Sequence, residues 1–202
     1  MFAVESYDIA DRTAITSAQP RRATPQMNRS KPTAYQLPEA GAIRIGFGGG
    51  CHWCTEAVFQ SLAAVTRVEQ GFATSLPPND GWSEAVIVHH KPADIALIDL
   101  IAVHLETHAS TARHTMRGKY RSAIYTTDQA QQREAQADLD RLAEKTGAHF
   151  VTSVLPLEDF RPSEARFHDY FRTDPERPFC RRYIVPKLER LARTRSDLLG
   201  DR

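Results

Sequence analysis

The chain has 202 residues, 41% of them hydrophobic, so it can form one domain of ordinary size around an apolar core. Its formal net charge of +1 excludes a strong overall attraction to nucleic acid. Three cysteines in an irregular spacing exclude the disulfide framework of small secreted domains and favour a reducing cytoplasm, where a cysteine pair commonly serves redox chemistry or metal binding.

Residues 1–40 are predicted to form a disordered or mobile arm, because they are rich in Ser, Thr, Pro, Arg and Gln and show little periodicity. The arm carries Glu5, Asp8 and Asp11 and lacks the continuous apolar core of a signal peptide. Elsewhere no apolar run approaches the ~18 residues of a membrane span. We therefore expect a cytoplasmic protein without a membrane partner.

A regular pattern of strands and helices follows the arm. Alternating residues predict a strand over 42–47, and a helical pattern over 53–62 begins after a run of glycines. The same criteria predict strands at 65–72, 85–89, 122–126 and 151–155 and helices at 95–105, 129–145 and 186–199. The central order β-α-β-β-α-β indicates an α+β fold of the ferredoxin-like split βαβ type, a two-layer mixed sheet with helices on one face. We accordingly divide the rest of the chain into a central domain, 41–180, and a basic helical tail, 181–202.

The stretch GFGGGCHWCTEAVFQ, residues 46–60, places Cys51 between the end of a strand and the start of a helix. Backbone N–H groups and the helix dipole at such a position favour a thiolate, so the pKa of Cys51 should fall below the ~8.5 of a free cysteine. The glycines allow the backbone to approach a ligand closely. These are the requirements of a cysteine nucleophile, although a buried, inert cysteine on a glycine turn would have the same sequence.

Cys54 completes a Cys-x-x-Cys motif. Three residues along a helix are close enough for a disulfide, so Cys54 could resolve an oxidised Cys51. The motif also occurs in thioredoxin-like proteins and in zinc sites, and Cys54 could merely fill a gap in the core. A zinc site needs a second pair of ligands, but Cys180 is isolated and the histidines have no ligand spacing. We therefore expect no metal and no organic cofactor.

Several stretches, taken in order, resemble the peptide methionine sulfoxide reductase A family. The first is Gly50-Cys51-His52-Trp53 at the start of the first helix. The later ones are 81–86, 120–124, 160–164, 168–170 and the pair Phe179 and Cys180. The resemblance covers residues 43–180, and the central domain is interpreted as a domain of this family.

The resemblance implies reduction of methionine S-sulfoxide, either free or in a protein. The thiolate of Cys51 would attack the sulfoxide sulfur, and a general acid must protonate the oxygen as it leaves. Glu84 matches the family's glutamate in this role, and Tyr120 matches a hydroxyl that hydrogen-bonds the oxygen. Trp53 would form one wall of the apolar slot for the substrate methyl group, with His52 beside it. Without the resemblance, Glu84 reads as a strand-end charge and Tyr120 and Trp53 as core aromatics.

After methionine leaves, Cys51 would be a sulfenic acid that a second thiol converts to a disulfide. Proximity favours Cys54 as that thiol, whereas the family pattern favours Cys180, which lies in a segment that we expect to be mobile. We predict that the two act in series. Cys54 would form the first disulfide, and Cys180 would exchange into it and present it to thioredoxin. We expect a monomer that binds no nucleic acid.

Three positions depart from the family pattern. His52 stands where the family usually has phenylalanine, and we expect its ring to point to solvent. Trp82 replaces a histidine, and Thr115 replaces an aspartate. These changes leave the substrate preference open.

Two other functions stay open on the sequence alone. A general thiol–disulfide oxidoreductase would use Cys51 and Cys54 and would not need Glu84. A noncatalytic redox-sensing module would use the basic C-terminal run as its contact face, although a solvated helix face would have the same composition.

Overall fold

A computed structural model describes residues 41–200, and the predicted arm 1–40 lies outside the described residues. The strands are β1 (Ile43–Gly48), β2 (Val65–Thr74), β3 (Ser83–His90), β4 (Ala123–Thr126), β5 (Ser153–Pro156) and β6 (Asp159–Pro162). The helices are α1 (His52–Gln60), α2 (Leu97–Thr107), α3 (Gln129–Thr146), α4 (Tyr170–Thr173) and α5 (Val185–Thr194). Every strand and helix predicted between residues 42 and 155 is present, and each of its ends lies within two residues of the predicted position.

The six strands form one sheet in the order β5-β4-β1-β3-β2-β6. β1 and β3 lie at its centre and pair antiparallel, with Phe47 opposite Val86. β5 runs parallel to β4 at one edge, whereas the other neighbours are antiparallel, so the sheet is mixed. The described residues therefore have a mixed α+β fold, and the chain leaves a central strand just before the cysteine motif.

One face of the sheet carries the main apolar core. Side chains alternate across a strand, so Ile45 and Phe47 of β1 both point to the face that α1 and α2 cover. Phe47 stacks on Phe59 of α1 with 4.6 Å between ring centroids, and its centroid lies 5.0 Å from that of His104 in α2. Burying a side chain of this size contributes about 1.5–3 kcal/mol. The stack therefore holds both helices against the strand that leads into the motif.

The opposite face of the sheet carries a smaller cluster. Tyr125 of β4 is fully buried there, together with three alanines, Ala123 of the same strand, Ala85 of β3 and Ala73 of β2. Leu155, Leu157 and Phe160 pack against this cluster. Because Leu155 lies in β5, Leu157 directly follows it and Phe160 lies in β6, the two edge strands complete the second face.

Both ends of α3 follow recognisable capping rules. The Asp128 side chain accepts a hydrogen bond from the backbone N–H of Gln131 at 2.9 Å, which satisfies one unpaired donor of the first turn. Gly147 ends the helix with a φ of 67°, a left-handed conformation that glycine adopts at little cost. These two signals explain why the predicted and observed bounds of α3 agree so closely.

The C-terminal helix packs on the main core. A π-turn, Cys180–Ile184, leads directly into α5, and Ile184, Leu188 and Leu191 are buried in that core. α5 ends at Thr194, five residues before the predicted end. Strand β6 and helix α4 are missing from the sequence prediction, because β6 contains a single large apolar side chain, Phe160, and α4 spans barely one helical turn. Within residues 41–200, no helix is both long and apolar enough to cross a membrane.

Candidate active site

The glycines before α1 let other parts of the fold pack tightly around the end of β1. A Cβ atom at Gly49 would lie 2.5 Å from the imidazole ring of His108, so only glycine admits this contact. Gly48 is confined in the same way, because a Cβ there would lie 2.8 Å from a backbone carbonyl oxygen. A Cβ at Gly50 would meet open space. Two of the glycines therefore serve packing rather than the approach of a ligand.

Cys51 occupies the N-cap position of α1 and is half-buried. A hydrogen bond from the Cys54 thiol is the main cause that lowers the pKa of Cys51, and the backbone N–H groups of Trp53 and Cys54 lower it further. Burial and the Glu84 carboxylate act in the opposite direction, but the net shift is downward. The direction agrees with the sequence-based expectation, although a neighbouring side chain contributes more than the helix terminus.

The surroundings of the Cys54 thiol have the opposite effect on its ionisation. Its pKa is raised, first by the hydrogen bond to Cys51 and then by burial. Of the two thiols, Cys51 is therefore the one that ionises more readily, while Cys54 keeps its proton more tightly. The Cys54 sulfur also lies 4.0 Å from the backbone carbonyl oxygen of Tyr183, in the π-turn before α5. Cys51, Cys54 and Cys180 are all free thiols.

Cys180 opens the π-turn and has no exposed surface. It belongs to the same core cluster as Cys54, and burial raises the pKa of its thiol. The structure thus places Cys180 in a packed helical segment, not in an exposed tail. Reaction of Cys180 with a second protein requires this segment to open. π-turns are rare and are often found at functional sites.

Glu84 lies near the start of β3, beside the first turn of α1. Its carboxylate accepts a hydrogen bond from the backbone N–H of His52 at 3.0 Å and lies 3.4 Å from His52 Nδ1. The His52 residue is only 7% exposed, and its Nδ1 also lies 3.2 Å from the Gly71 carbonyl oxygen. The expectation that His52 points to solvent is therefore wrong. Burial lowers the pKa of His52 below its ordinary value, so the ring is neutral at pH 7.

Tyr120 is connected to Glu84 through Lys119. The Glu84 backbone N–H donates to the Lys119 carbonyl oxygen at 3.0 Å, which joins the segment before β4 to the start of β3. The Lys119 ammonium lies 3.4 Å from the Glu84 carboxylate and 5.0 Å from the ring centroid of Tyr120. A hydrogen bond with the Tyr120 side chain, followed by attraction to Glu84, raises the pKa of Lys119. Sequence reasoning missed Lys119, which bridges two of its candidates.

Trp53 lies at the centre of an aromatic cluster. Its ring stacks on Tyr170 at 4.1 Å between centroids, and Phe167 and Phe179 follow at 5.9 and 5.4 Å. A cavity of about 440 Å³ adjoins the cluster, a volume in the range of small-molecule sites. This larger cavity is lined by His52, Trp53, Phe72, Arg161, Pro162, Ser163, Glu164 and Phe167.

Cys51 lines a second, smaller cavity of about 50 Å³. Cys54, His108 and Lys187 line it as well, together with residues of α1 and the end of α2. The first turn of α1 thus contributes to both cavities. Its two cysteines line the smaller cavity, whereas the two aromatic residues between them line the larger one.

Within residues 41–200, no three His, Cys, Asp or Glu side chains are grouped in a way that could hold a metal ion. The absence of a metal or organic cofactor from the mechanism stays a prediction.

The family model described as peptide methionine sulfoxide reductase matches residues 43–198 of the chain. The chain belongs to this family. The peptide methionine sulfoxide reductase MsrA of Thermus thermophilus is 35% identical over 165 residues, which cover 75% of this chain and 94% of that protein. The MsrA of Deinococcus radiodurans is 32% identical over 178 residues, which cover 80% of this chain and 86% of that protein.

Solved structures of the family share the fold. Methionine sulfoxide reductase A of Corynebacterium diphtheriae superposes with a TM-score of 0.58 at 25% identity, over 67% of this chain and 76% of that chain. The reduced form of Mxr1 from Saccharomyces cerevisiae gives a TM-score of 0.60 at 18% identity, over 70% of this chain and 90% of that chain. Mxr1 has also been solved in complex with Trx2, with a TM-score of 0.54 at 20% identity, over 65% of this chain and 87% of that chain.

This family member contains a buried carboxylate that sequence reasoning missed. Glu56 is 2% exposed, and it accepts hydrogen bonds from the backbone N–H groups of Asp169 and Tyr170 at 3.0 and 3.2 Å. Burial raises the pKa of Glu56. Asp169 has a φ of 53°, a left-handed conformation that is unusual outside glycine, and the bond to Glu56 helps to hold it. Glu56 thereby positions Tyr170, the ring on which Trp53 stacks.

Two departures from the family pattern lie in different surroundings. Trp82 is 39% exposed, and the Arg161 guanidinium lies 4.7 Å from its ring centroid. The same guanidinium lies 5.4 Å from the ring centroid of Phe72, so Arg161 joins Trp82 to the lining of the larger cavity. Thr115 begins an exposed 3₁₀ turn, Thr115–Gly118.

The hydrogen bond from Cys54 predicts a measurable pH effect. Because it lowers the pKa of Cys51, Cys54→Ala should move the midpoint of Cys51 alkylation by iodoacetamide to higher pH, since the alkylation rate follows the thiolate fraction. Mass spectrometry assigns the modified residue at each pH. Cys180→Ala is the matched control and should leave the midpoint in place. A midpoint that stays the same in Cys54→Ala contradicts this origin of the shift.

Proposed function

We propose that this protein is a peptide-methionine (S)-S-oxide reductase that reduces methionine S-sulfoxide, free or in proteins, and is itself re-reduced by thioredoxin. The observation that carries the proposal is the Cys51 thiol, whose pKa is lowered by a second thiol, at the end of a central strand and beside Glu84. Membership of the family supports the substrate class, and the solved complex of Mxr1 with Trx2 supports the reductant.

In the first step, the Cys51 thiolate attacks the sulfoxide sulfur. The sulfoxide oxygen gains protons and passes to Cys51, which becomes a sulfenic acid, and methionine leaves as the thioether. Glu84 is proposed as the acid that protonates the oxygen, with the Tyr120 hydroxyl as a hydrogen-bond donor. The chain of contacts from Glu84 through Lys119 to Tyr120 supports this pairing.

The larger cavity is proposed to hold the substrate side chain. Trp53 offers an apolar surface for the methyl group, and His52 adds a neutral, buried ring beside it. Both follow Cys51 directly in the chain, although Cys51 itself lines the smaller cavity, so in the proposed mechanism the substrate sulfur must reach from the larger cavity to the Cys51 sulfur. The replacement of phenylalanine by His52 therefore keeps a flat ring at this wall while adding a polar atom.

The oxidised Cys51 is proposed to be resolved in two stages. The Cys54 thiol attacks the sulfenic sulfur, the S–O bond breaks, and water leaves as a Cys51–Cys54 disulfide forms. The existing hydrogen bond between the two sulfurs supports Cys54 as the first partner. Cys180 then exchanges into the disulfide, for which its position in the same core cluster is favourable. Thioredoxin reduces the final bond.

The central strands have the order of a known supersecondary unit. We assign the central strands to a ferredoxin-like split βαβ unit, because their order β4-β1-β3-β2 and the sequence β-α-β-β-α-β agree with it. We also propose a division of the chain into segments 1–40, 41–180 and 181–202, of which the last packs on the core of the second through Ile184, Leu188 and Leu191. A monomer is also proposed, since a single chain supplies the site from Cys51 to Tyr120, and a cytoplasmic location is proposed because three free thiols suit a reducing compartment.

Turnover by this protein should require Cys51. The parent protein is expected to consume the S epimer of methionine sulfoxide in a dabsyl-labelled peptide when thioredoxin, thioredoxin reductase and NADPH are present. Cys51→Ser should abolish this activity because a hydroxyl is a far weaker nucleophile at neutral pH. The R epimer serves as the substrate control. Parent-level reduction by Cys51→Ser would exclude the proposed chemistry.

The chemical step should depend on Glu84. Glu84→Gln keeps the shape of the side chain but cannot donate the acidic proton, so the rate of methionine release in a single turnover should fall ~10²–10⁴-fold. Glu158→Gln, an exposed carboxylate change, is the control and should keep the parent rate. A loss of less than about threefold would contradict the role of general acid.

The disulfide relay should be visible after one equivalent of substrate. In Cys180→Ala, the Cys51–Cys54 disulfide should accumulate, and turnover coupled to thioredoxin should fall. Rapid alkylation followed by mass spectrometry identifies each disulfide and its rate of formation. If Cys54→Ser forms its first disulfide and turns over at parent rates, then Cys54 has only a packing role, and the proposed order of Cys54 before Cys180 is wrong.

A further inference from the structure

One charged side chain in the smaller cavity has no role in the mechanism described so far. Lys187 of α5 lines this cavity of about 50 Å³ together with Cys51 and Cys54. Its ammonium donates a hydrogen bond to the backbone carbonyl oxygen of Thr107, at the end of α2. Lys187 lies three residues after Ile184 and four before Leu191, both buried, so it occupies the inward face of its helix.

The charges around Lys187 explain why it can stay in this position. Burial lowers the pKa of Lys187, whereas negative charge on Cys54, and less so on Cys51, raises it. Among the described residues, the charges that favour the ammonium therefore come from the two sulfurs. An ammonium has three donors, and the bond to Thr107 uses one of them.

The positive charge of Lys187 matters more for the ionisation of Cys54 than for that of Cys51. The Cys51 thiolate already receives a hydrogen bond from Cys54 and further ones from backbone N–H groups of the first turn. The Cys54 thiol has no such set of donors: its hydrogen bond to Cys51 and its burial both oppose ionisation. Lys187 is the first cause that acts in the other direction. Loss of its charge should therefore be felt mainly at Cys54.

We propose that Lys187 is a positioning residue for the resolving step, whose ammonium stabilises the Cys54 thiolate as it attacks the oxidised Cys51. The inference rests on the proposed function. In the reduced state Cys51 is the sulfur that ionises more readily, and negative charge on it interacts with the ammonium. When Cys51 becomes a neutral sulfenic acid, that charge disappears, and the ammonium is left facing Cys54 alone.

The step balances without a further reactant. Cys54 loses its thiol proton and becomes a thiolate, which attacks the sulfenic sulfur of Cys51. The S–S bond forms, the S–O bond breaks, and the departing hydroxide takes up a proton to leave as water. Cys54 is oxidised and Cys51 is reduced from sulfenic acid to disulfide. Lys187 keeps its proton throughout and contributes only its charge.

Other charged groups face the same space and must be considered in any pH experiment. His104 and His108 of the α2 region feel the charge of Lys187, and burial lowers the pKa of His108 to about 4. Burial also lowers the pKa of His104, so both rings are neutral at pH 7. Arg190, on the same helix as Lys187, lowers the pKa of the lysine. Cys180 opposes the ionisation of Cys54.

The test separates the two chemical steps in a Cys180→Ala background, where Cys54 is the resolving thiol. Lys187→Met removes the charge while keeping the length of the side chain. Methionine release in the first turnover should stay within about threefold of the background protein, whereas formation of the Cys51–Cys54 disulfide should slow about tenfold or more. The Cys51 sulfenic acid should then accumulate and be trapped by dimedone. The pH profile of disulfide formation should shift to higher pH.

Three further variants complete the test. Lys187→Arg keeps the positive charge and should restore part of the rate. Lys187→Gln keeps a donor for the Thr107 carbonyl oxygen without the charge, and it replaces Lys187→Met if that variant does not fold. Arg193→Met removes an exposed charge from the same helix and should behave like the background protein.

The possible results are distinct. Equal slowing of both steps, or disulfide formation at the rate of Arg193→Met, would overturn the proposal. The disulfide is also measured after one equivalent of hydrogen peroxide, which oxidises Cys51 without methionine sulfoxide. If the parent does not reduce methionine sulfoxide but Lys187→Met still slows this peroxide-driven disulfide, the proposed function fails while the role of Lys187 stands.

Discussion

The hydrogen bond between Cys54 and Cys51 is the interaction on which the rest of the site depends. It lowers the pKa of one thiol and raises the pKa of the other, so that Cys51 ionises more readily than Cys54. The bond requires both sulfurs on the first turn of one helix, at the end of a central strand. The stack of Phe47 on Phe59 holds that helix to the strand, and the absence of a side chain at Gly49 admits His108 beside it.

The surroundings of this bond divide into two compartments with different properties. His52 and Trp53 face the larger, aromatic cavity, while the sulfurs and Lys187 share the smaller one. A substrate can thus be held in the larger cavity, on one side of the helical turn, while the charges of the sulfurs and of Lys187 interact in the smaller cavity on the other side. Glu56 contributes to this arrangement, because its hydrogen bond with the backbone N–H of Tyr170 fixes the segment whose Tyr170 ring stacks on Trp53. The first turn of α1 separates the two compartments, and Cys51 belongs to the smaller one.

The sequence predicted those parts of the fold and site that depend on local pattern. The strand, the glycines and Cys-x-x-Cys are consecutive, so the placement of Cys51 follows from a short stretch. The burial of His52 can be predicted from the sequence, because His52, Glu56 and Phe59 have the spacing of one helical face, and all three are buried. The same signal marks Lys187, a basic residue within the apolar stripe of α5. The contact of Lys119 with Glu84 depends on how distant segments of the chain pair in the sheet. A local sequence pattern carries no information about that pairing.

The complete burial of Cys180 makes the folding stability of one segment part of the proposed catalytic cycle. In the proposed cycle, thioredoxin would reach a disulfide to Cys180 only while the π-turn is detached from the core, so the population of that locally unfolded form would limit how fast oxidised protein is recycled. Tighter packing at Leu188 or Leu191 would make the protein more resistant to heat and slower to regenerate. The stability of this C-terminal helix would then have two limits. A helix that is too weakly packed would unfold, and one that is too tightly packed would leave the disulfide out of reach of thioredoxin.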